Sequence, residues 1–436
     1  MLEFSVLESP PRSQSSRRGV ITVDRVHDYL ILGAGPAGLQ LGYFMKQAGR
    51  DFAIVDRAAV PGAFFIDLPR HRYLLSINKV FTGQEDVELN LRWDWNSLIC
   101  DNPDLSLPDY TGEYFPDPDH LVRYMADFAD YYDLPITYKT EITRVSKTED
   151  GFQLTDDKQD TWKCRCLIIA SGVPHEYIPD IPGIDLCETY GSHSLDPDDY
   201  QDQRVLIVGK GNSGFETADN LIGTASVIHL VSPSPVHLAW KTHYVGAVRA
   251  INNNFLDTYQ LKSQNAVIDG AIEWVKKEDD NYQVKIAYSH AMGQTTTRSY
   301  DRVIVCTGFR FDNSIFDEDC RPDLTENKRF PRQTTAWEST NVPGMFFAGT
   351  IMQACDYKKT QSAFIHGFRN NIRSLSWILA QRYQGEPWPH HTAADTPEAV
   401  VERIVDRLSR ASGIFQQPGF LSEVVVVDEK AGELRH

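Results

Sequence analysis

The chain has 436 residues, 42% hydrophobic, 24% charged and 11% aromatic, with 60 acidic against 43 basic residues and a net charge of −17. This composition excludes a disordered, collagen-like or disulfide-scaffold protein, and the length predicts two or three domains. The negative charge repels phosphate backbones and anionic lipid, so neither nucleic acid nor a membrane is an expected partner. No apolar run nears the ~20 residues that cross a bilayer.

Residues 1–24 read as a disordered arm, with an acid at Glu3 and no long apolar stretch before the Arg pair, and not as a signal peptide. A cytoplasmic location is expected. Next, DYLILGAGPAGLQLGYFMKQAG predicts an apolar strand, a glycine-rich turn and an amphipathic helix. Its glycines, Gly33, Gly35 and Gly38, have G-x-G-x-x-G spacing and enclose Pro36 and Ala37. The first glycine permits a tight turn, and the second lets a pyrophosphate approach. The third packs helix on strand, with the helix amides aimed at the anion. Asp56 ends the next apolar run, 23 residues after Gly33, where an acid accepts hydrogen bonds from a ribose.

The same plan returns in RVLIVGKGNSGFETADNL, with Gly209, Gly211 and Gly214 around Asn212 and Ser213. Here the following strand ends at Ser232, again 23 residues on. One fingerprint is weak, but two copies, each between a strand and a helix, predict two dinucleotide sites. LIIASG (Ser171, Gly172) and VIVCTG (Thr307, Gly308) are strands that end in a small residue and a glycine, and GMFFAGT ends at Gly349 and Thr350. The predicted fold is α/β, with two Rossmann-like domains and the second inserted into a discontinuous first. The boundaries fall at 25–185 and 301–384 for the first, 186–300 for the second, and 385–436 for a C-terminal extension.

Seven scattered cysteines include no C-x-x-C pair, so no redox dithiol or zinc site is indicated. Cys164 and Cys166, two apart in a predicted strand, read as packing residues on one face. His390 and His391 lie in a linker without other ligands, so no metal is expected. TPEAVVERIVDRLSRASG predicts a helix capped by Thr396, and GFLSEVVVVDE a single strand.

From about Asp28 to Trp377 these motifs resemble the flavin-containing monooxygenases. GAFFIDLPRHRYLLSINKVFTG and DYKKTQSAFIHGFRNNIR resemble more narrowly the family of the endoplasmic-reticulum flavoprotein associated with degradation, and its microbial homologues. The resemblance implies FAD in the first site and a nicotinamide dinucleotide in the second, where Ser232 stands in place of the acid that would serve NADH, so NADPH is expected and NADH less favoured. It implies further FAD contacts at Arg57, Phe64, Arg72, Val145, Thr360 and Gln361, the last two at the start of a helix facing the flavin. YFPDPDHLVRYMADFADYYDL corresponds to a helix near the adenine. Asn78 stands where an amide would lie over the flavin and hold a peroxy group, and Lys79 could bind an anionic group beside it. In place of the acid that follows the last strand glycine in many flavin reductases stands Thr350, with Asp356 as a substitute.

The implied activity is an NAD(P)H-dependent monooxygenase of a small metabolite, using molecular oxygen through a flavin hydroperoxide. It would oxygenate N or S, or insert oxygen beside a carbonyl, in a biosynthetic role. The alternatives are a flavin reductase or electron-transfer protein serving a protein or quinone, and a binding module without activity. A homodimer is left open.

Overall fold

The structure is a computed structural model that describes residues 25–394, 396–428 and 433–435. The expected N-terminal arm lies outside the described residues. Among them, no helix is long and apolar enough to cross a membrane.

Two sheets organise the chain. In the first, Val26–Leu32 lies parallel between Phe52–Val55 and Thr161–Ile169. Ile136–Thr137 extends one edge, and antiparallel Gly151–Asp156 and Ile142–Thr148 the other. Met345–Phe347, nearly two hundred residues later, returns to pair with Leu167–Ile169. Both faces are covered, which is why Val26–Leu32 ends in four successive buried residues and does not alternate. Tyr29, Ile31 and Ile168 pack under helices Pro36–Gln47, Pro118–Tyr131 and Ile365–Leu379. Leu30, Leu32 and Ile169 pack on the other face with Phe311, Phe316 and Phe347.

The second sheet holds the parallel strands Val227–Ser232, Arg204–Val208, Arg302–Val305 and Glu188–Thr189. Ala266–Glu278, parallel to Val227–Ser232, leads into an antiparallel meander through Asn281–Tyr288 and Thr295–Tyr300. Helix Asn212–Leu221 follows its glycine turn.

Four readings need correction. The boundary drawn at 301 falls one strand too early, because Arg302–Val305 pairs with Arg204–Val208 inside the second sheet. The helix expected from Thr360 begins at Ile365, because Phe364 is still extended at φ −126°. Among the described residues, the run GFLSEVVVVDE contributes only Val426–Asp428 as strand. Cys164 and Cys166 are both buried packing residues but fall in different core clusters. The capped helix Pro397–Arg410 forms as read, with the Thr396 hydroxyl accepting from Ala399 N at 3.2 Å.

Candidate functional site

The first glycine turn is built by packing at two positions and left open at the third. A Cβ on Gly33 (φ +113°) would lie 2.7 Å from Ala170 O, and one on Gly38 would lie 1.9 Å from Gly33 O. A Cβ on Gly35 would meet nothing within 4 Å. That opening lies at the start of helix Pro36–Gln47, where unpaired amides favour an anion. Gly349 (φ +85°) presses on the same turn, since its Cβ would come within 2.6 Å of Ala37 Cβ. The Asp56 carboxylate accepts from Ala34 N at 2.5 Å and Ala58 N at 2.7 Å, so it stands at the mouth of this cradle. Ser171 and Gly172 (φ +68°) follow the neighbouring strand Thr161–Ile169, with Ser171 exposed. The residues present therefore fit a dinucleotide.

Several residues expected at this site are committed elsewhere. Arg72 donates to Phe65 O and Ile66 O and pairs with Asp117 and Asp119, which leaves it no charge for a phosphate. Val145 is fully buried, its N–H donates to Ile315 O and its carbonyl accepts from Asp317 N, so it offers a ligand nothing. Arg57 is exposed and faces Glu141 at 3.8 Å. Phe64 is half exposed, edge-on to Phe309 of the opposite strand end. The Thr360 hydroxyl donates to Asp356, and Gln361 N donates to Gln417 Oε1, so neither lies on a free helix terminus. Burial raises the carboxyl pKa of Asp356.

Asn78 does not fit the role of donor. Both of its carboxamide N–H groups point at carbonyls, Thr111 O at 2.9 Å and Glu113 O at 3.2 Å, and only Oδ1 lacks a partner. It fixes the 111–113 loop from within and is not among the residues lining the central cavity. Lys79 is an exposed surface lysine.

The second turn repeats the first. A Cβ on Gly209 (φ +124°) would meet Cys306 O at 2.2 Å and one on Gly214 would meet Gly209 O at 2.5 Å, while one on Gly211 meets nothing. The Asn212 carboxamide ties this turn to the following loop, donating to Ala247 O and accepting from Arg249 N at 2.9 Å. Ser213 and Ser232 line the cavity. Thr307 donates to Tyr177 O, and Gly308 (φ +83°) has Arg329 against it. The sequence reading missed Lys210, inside the fingerprint itself: it is buried and paired with Asp269, with a second bond to Ile268 O at 3.0 Å.

A cavity of about 930 Å³ runs from this second turn to the strand ends of the first sheet. Its lining includes Gly211, Ser213, Thr307, Thr350, Gln353 and His366. The two units are held together around it by Arg70 to Tyr190 O at 2.5 Å, and by the Tyr73 hydroxyl to Asn252 Oδ1 at 3.1 Å. Cys306 is the one cysteine in the lining, and burial drives its thiol pKa far up. His366 is 2% exposed and stacked between Trp95 and Phe364, and burial holds its imidazole neutral, well below its ordinary pKa. Helix Asn212–Leu221 also buries Glu216, whose carboxylate accepts from the Tyr190 hydroxyl. Nothing in the helical pattern singled out that acid.

Known proteins share this arrangement. The chain is 40% identical over 433 residues to the FAD-dependent oxidoreductase domain-containing protein 2 of Mus musculus, covering 93% of this chain and 65% of that one. It thus spans about two thirds of the length of that curated relative. A flavin-containing monooxygenase from Stenotrophomonas maltophilia superposes with a TM-score of 0.61 at 20% identity, over 81% of this chain and 98% of that one. The bacillithiol disulfide reductase of Staphylococcus aureus superposes at 0.58 and 18% identity, over 82% and 99%. At such identities the two structures share the fold alone. Residues 30–349 match the family model described as pyridine nucleotide-disulphide oxidoreductase, and the chain belongs to that family.

Proposed function

We propose that this chain is an NAD(P)H-dependent flavoprotein monooxygenase of a small metabolite, with FAD in the first cradle and NADPH in the second. The flavin, when bound, would take a hydride from the nicotinamide and pass two electrons to oxygen. The protein supplies placement. Gly35 and Gly211 leave room for two pyrophosphates, Asp56 stands where a ribose hydroxyl would donate, and the cavity between the units would receive the reactive ends of both cofactors.

The observation that carries this reading over disulfide reduction is the cysteine chemistry of the cavity. Disulfide exchange needs a thiolate with a resolving partner. The cavity offers Cys306 alone, with its thiol held protonated by burial. NADPH is favoured because Ser232, at the end of Val227–Ser232, sets no carboxylate against a 2′-phosphate, its hydroxyl donating to Ser234 O at 3.1 Å, and exposed Lys241 follows in the short helix Ala239–Thr242. All seven cysteines are free thiols, which supports a reducing compartment such as the cytoplasm.

The test is the return of the reduced protein to the oxidised absorbance spectrum after rapid mixing with oxygen. Two phases separated by a lag support an oxygenase. A direct single-phase return would overturn that reading.

A further inference from the structure

Arg249 crosses the cavity from the second unit to the first. Its Nη1 donates to Leu75 O at 2.7 Å, and its guanidinium lies 5.6 Å from the Trp95 ring centroid and 5.9 Å from that of Phe115. Among the described residues, Nε and Nη2 have no hydrogen-bond partner and no carboxylate pairs with this cation. A partly buried guanidinium without a counter-ion is unfavourable, and an arriving anion offsets that cost. Burial accordingly lowers its pKa.

The adjoining wall is suited to the rest of such a ligand. Trp95, His366 and Phe364 form a stack, with centroids 4.4 Å apart for Trp95 and His366 and 5.8 Å apart for His366 and Phe364. All three line the cavity, and buried His366 Nδ1 has no hydrogen-bond partner. We propose that Arg249 anchors the carboxylate of the substrate, whose apolar body lies against Trp95 and Phe364 and whose polar group meets His366 Nδ1. The substrate class is then a small organic acid. This deepens the function proposed above, and rests on it for the statement that the bound acid is the molecule oxygenated.

The test titrates the purified flavin-loaded protein with phenylacetate and with its neutral isostere phenylacetamide, followed by tryptophan fluorescence and calorimetry. Phenylacetate should bind about tenfold or more tightly than the amide, the scale of a charge-assisted hydrogen bond. Arg249→Gln should erase that preference and Arg249→Lys keep part of it, with the Kd for NADP+ moving less than about twofold in each. Equal affinity for acid and amide in the native protein would overturn the proposal without any variant. So would a tenfold loss of NADP+ affinity in Arg249→Gln with phenylacetate binding unchanged, which would make the guanidinium a nucleotide contact. If Arg249→Gln fails to fold, the native comparison and Arg249→Lys still decide. Acid selectivity together with a single-phase return of the reduced protein would leave this site standing and remove the oxygenase.

Discussion

A methyl group added at Gly35 or Gly211 has free space around it, whereas one at Gly33, Gly38, Gly209 or Gly214 would lie between 1.9 and 2.7 Å from a backbone oxygen. The outer glycines are therefore demanded by the fold and the middle ones only by a ligand. Gly35→Val should fold and melt within ~1 kcal/mol of the native apoprotein, yet be purified without flavin. Gly211→Val should keep its yellow colour and lose reduction by NADPH. A yellow Gly35→Val protein would refute the placement of FAD. Asn78 gives the opposite kind of prediction, because its amide is spent on Thr111 O and Glu113 O. Asn78→Ala should lower stability by about 1–3 kcal/mol, through two carbonyls left unpaired in a buried loop. Peroxide formed per NADPH should change little at temperatures where the variant is folded. Strong uncoupling without destabilisation would restore the donor role.

Helix Asn212–Leu221 carries its own liability. Burial pushes the Glu216 carboxyl up to about 7, with Asp219 adding to the rise and the Tyr190 hydrogen bond opposing it. Between its ordinary 4.5 and about 7, the folded protein holds a proton that the unfolded chain has released. Stability contributed by this group therefore falls as pH rises through that window. Glu216→Gln should stabilise the protein by about 2–3 kcal/mol at pH 8 and by almost nothing near pH 4. Urea midpoints that shift equally at both pH values would contradict this. Elements such as this helix and both glycine turns were legible because a strand, three spaced glycines and a helix impose one geometry. The start at Ile365 was not, since TQSAF reads as helix until Gln417 and Asp356 are seen holding Gln361 and Thr360 in a turn. The strand Arg302–Val305 was assigned to the wrong sheet for a related reason. Its VIVCTG pattern suits either sheet, and only pairing with Arg204–Val208 decides. Arg249 had no local signal at all, because its chemistry depends on Trp95 and Leu75, over 150 residues away in sequence.

At the scale of the molecule, the C-terminal extension is a clamp on the first unit. Gln417 is fully buried, accepts from Gln361 N at 2.8 Å, and donates to Ser362 Oγ and Asn371 Oδ1. Gln416 donates to Leu91 O at 2.9 Å, and Arg92 in return donates to Leu408 O and Ala411 O. Arg407 ties Glu88 to Glu423. Buried Arg369 belongs to the same assembly, through Leu91 O, Ser97 O and Gln416 Oε1. The Gln417 bonds hold Gln361 and Ser362 next to the cavity-lining Ala363 and Phe364, while the other contacts grip the segment from Glu88 to Arg92, so the extension holds one wall of the candidate site in place. Each buried polar group orphaned by its removal costs about 1–3 kcal/mol. A chain ending at Gly385 should therefore melt well below the full-length protein and retain little flavin, and Gln417→Ala alone should cost about 1–3 kcal/mol. Thermal melts and flavin content of the two variants measure this. A truncated protein with native melting temperature and full flavin would show that the extension only rests on the surface, and that the segment around Gln361 is held by the first unit itself.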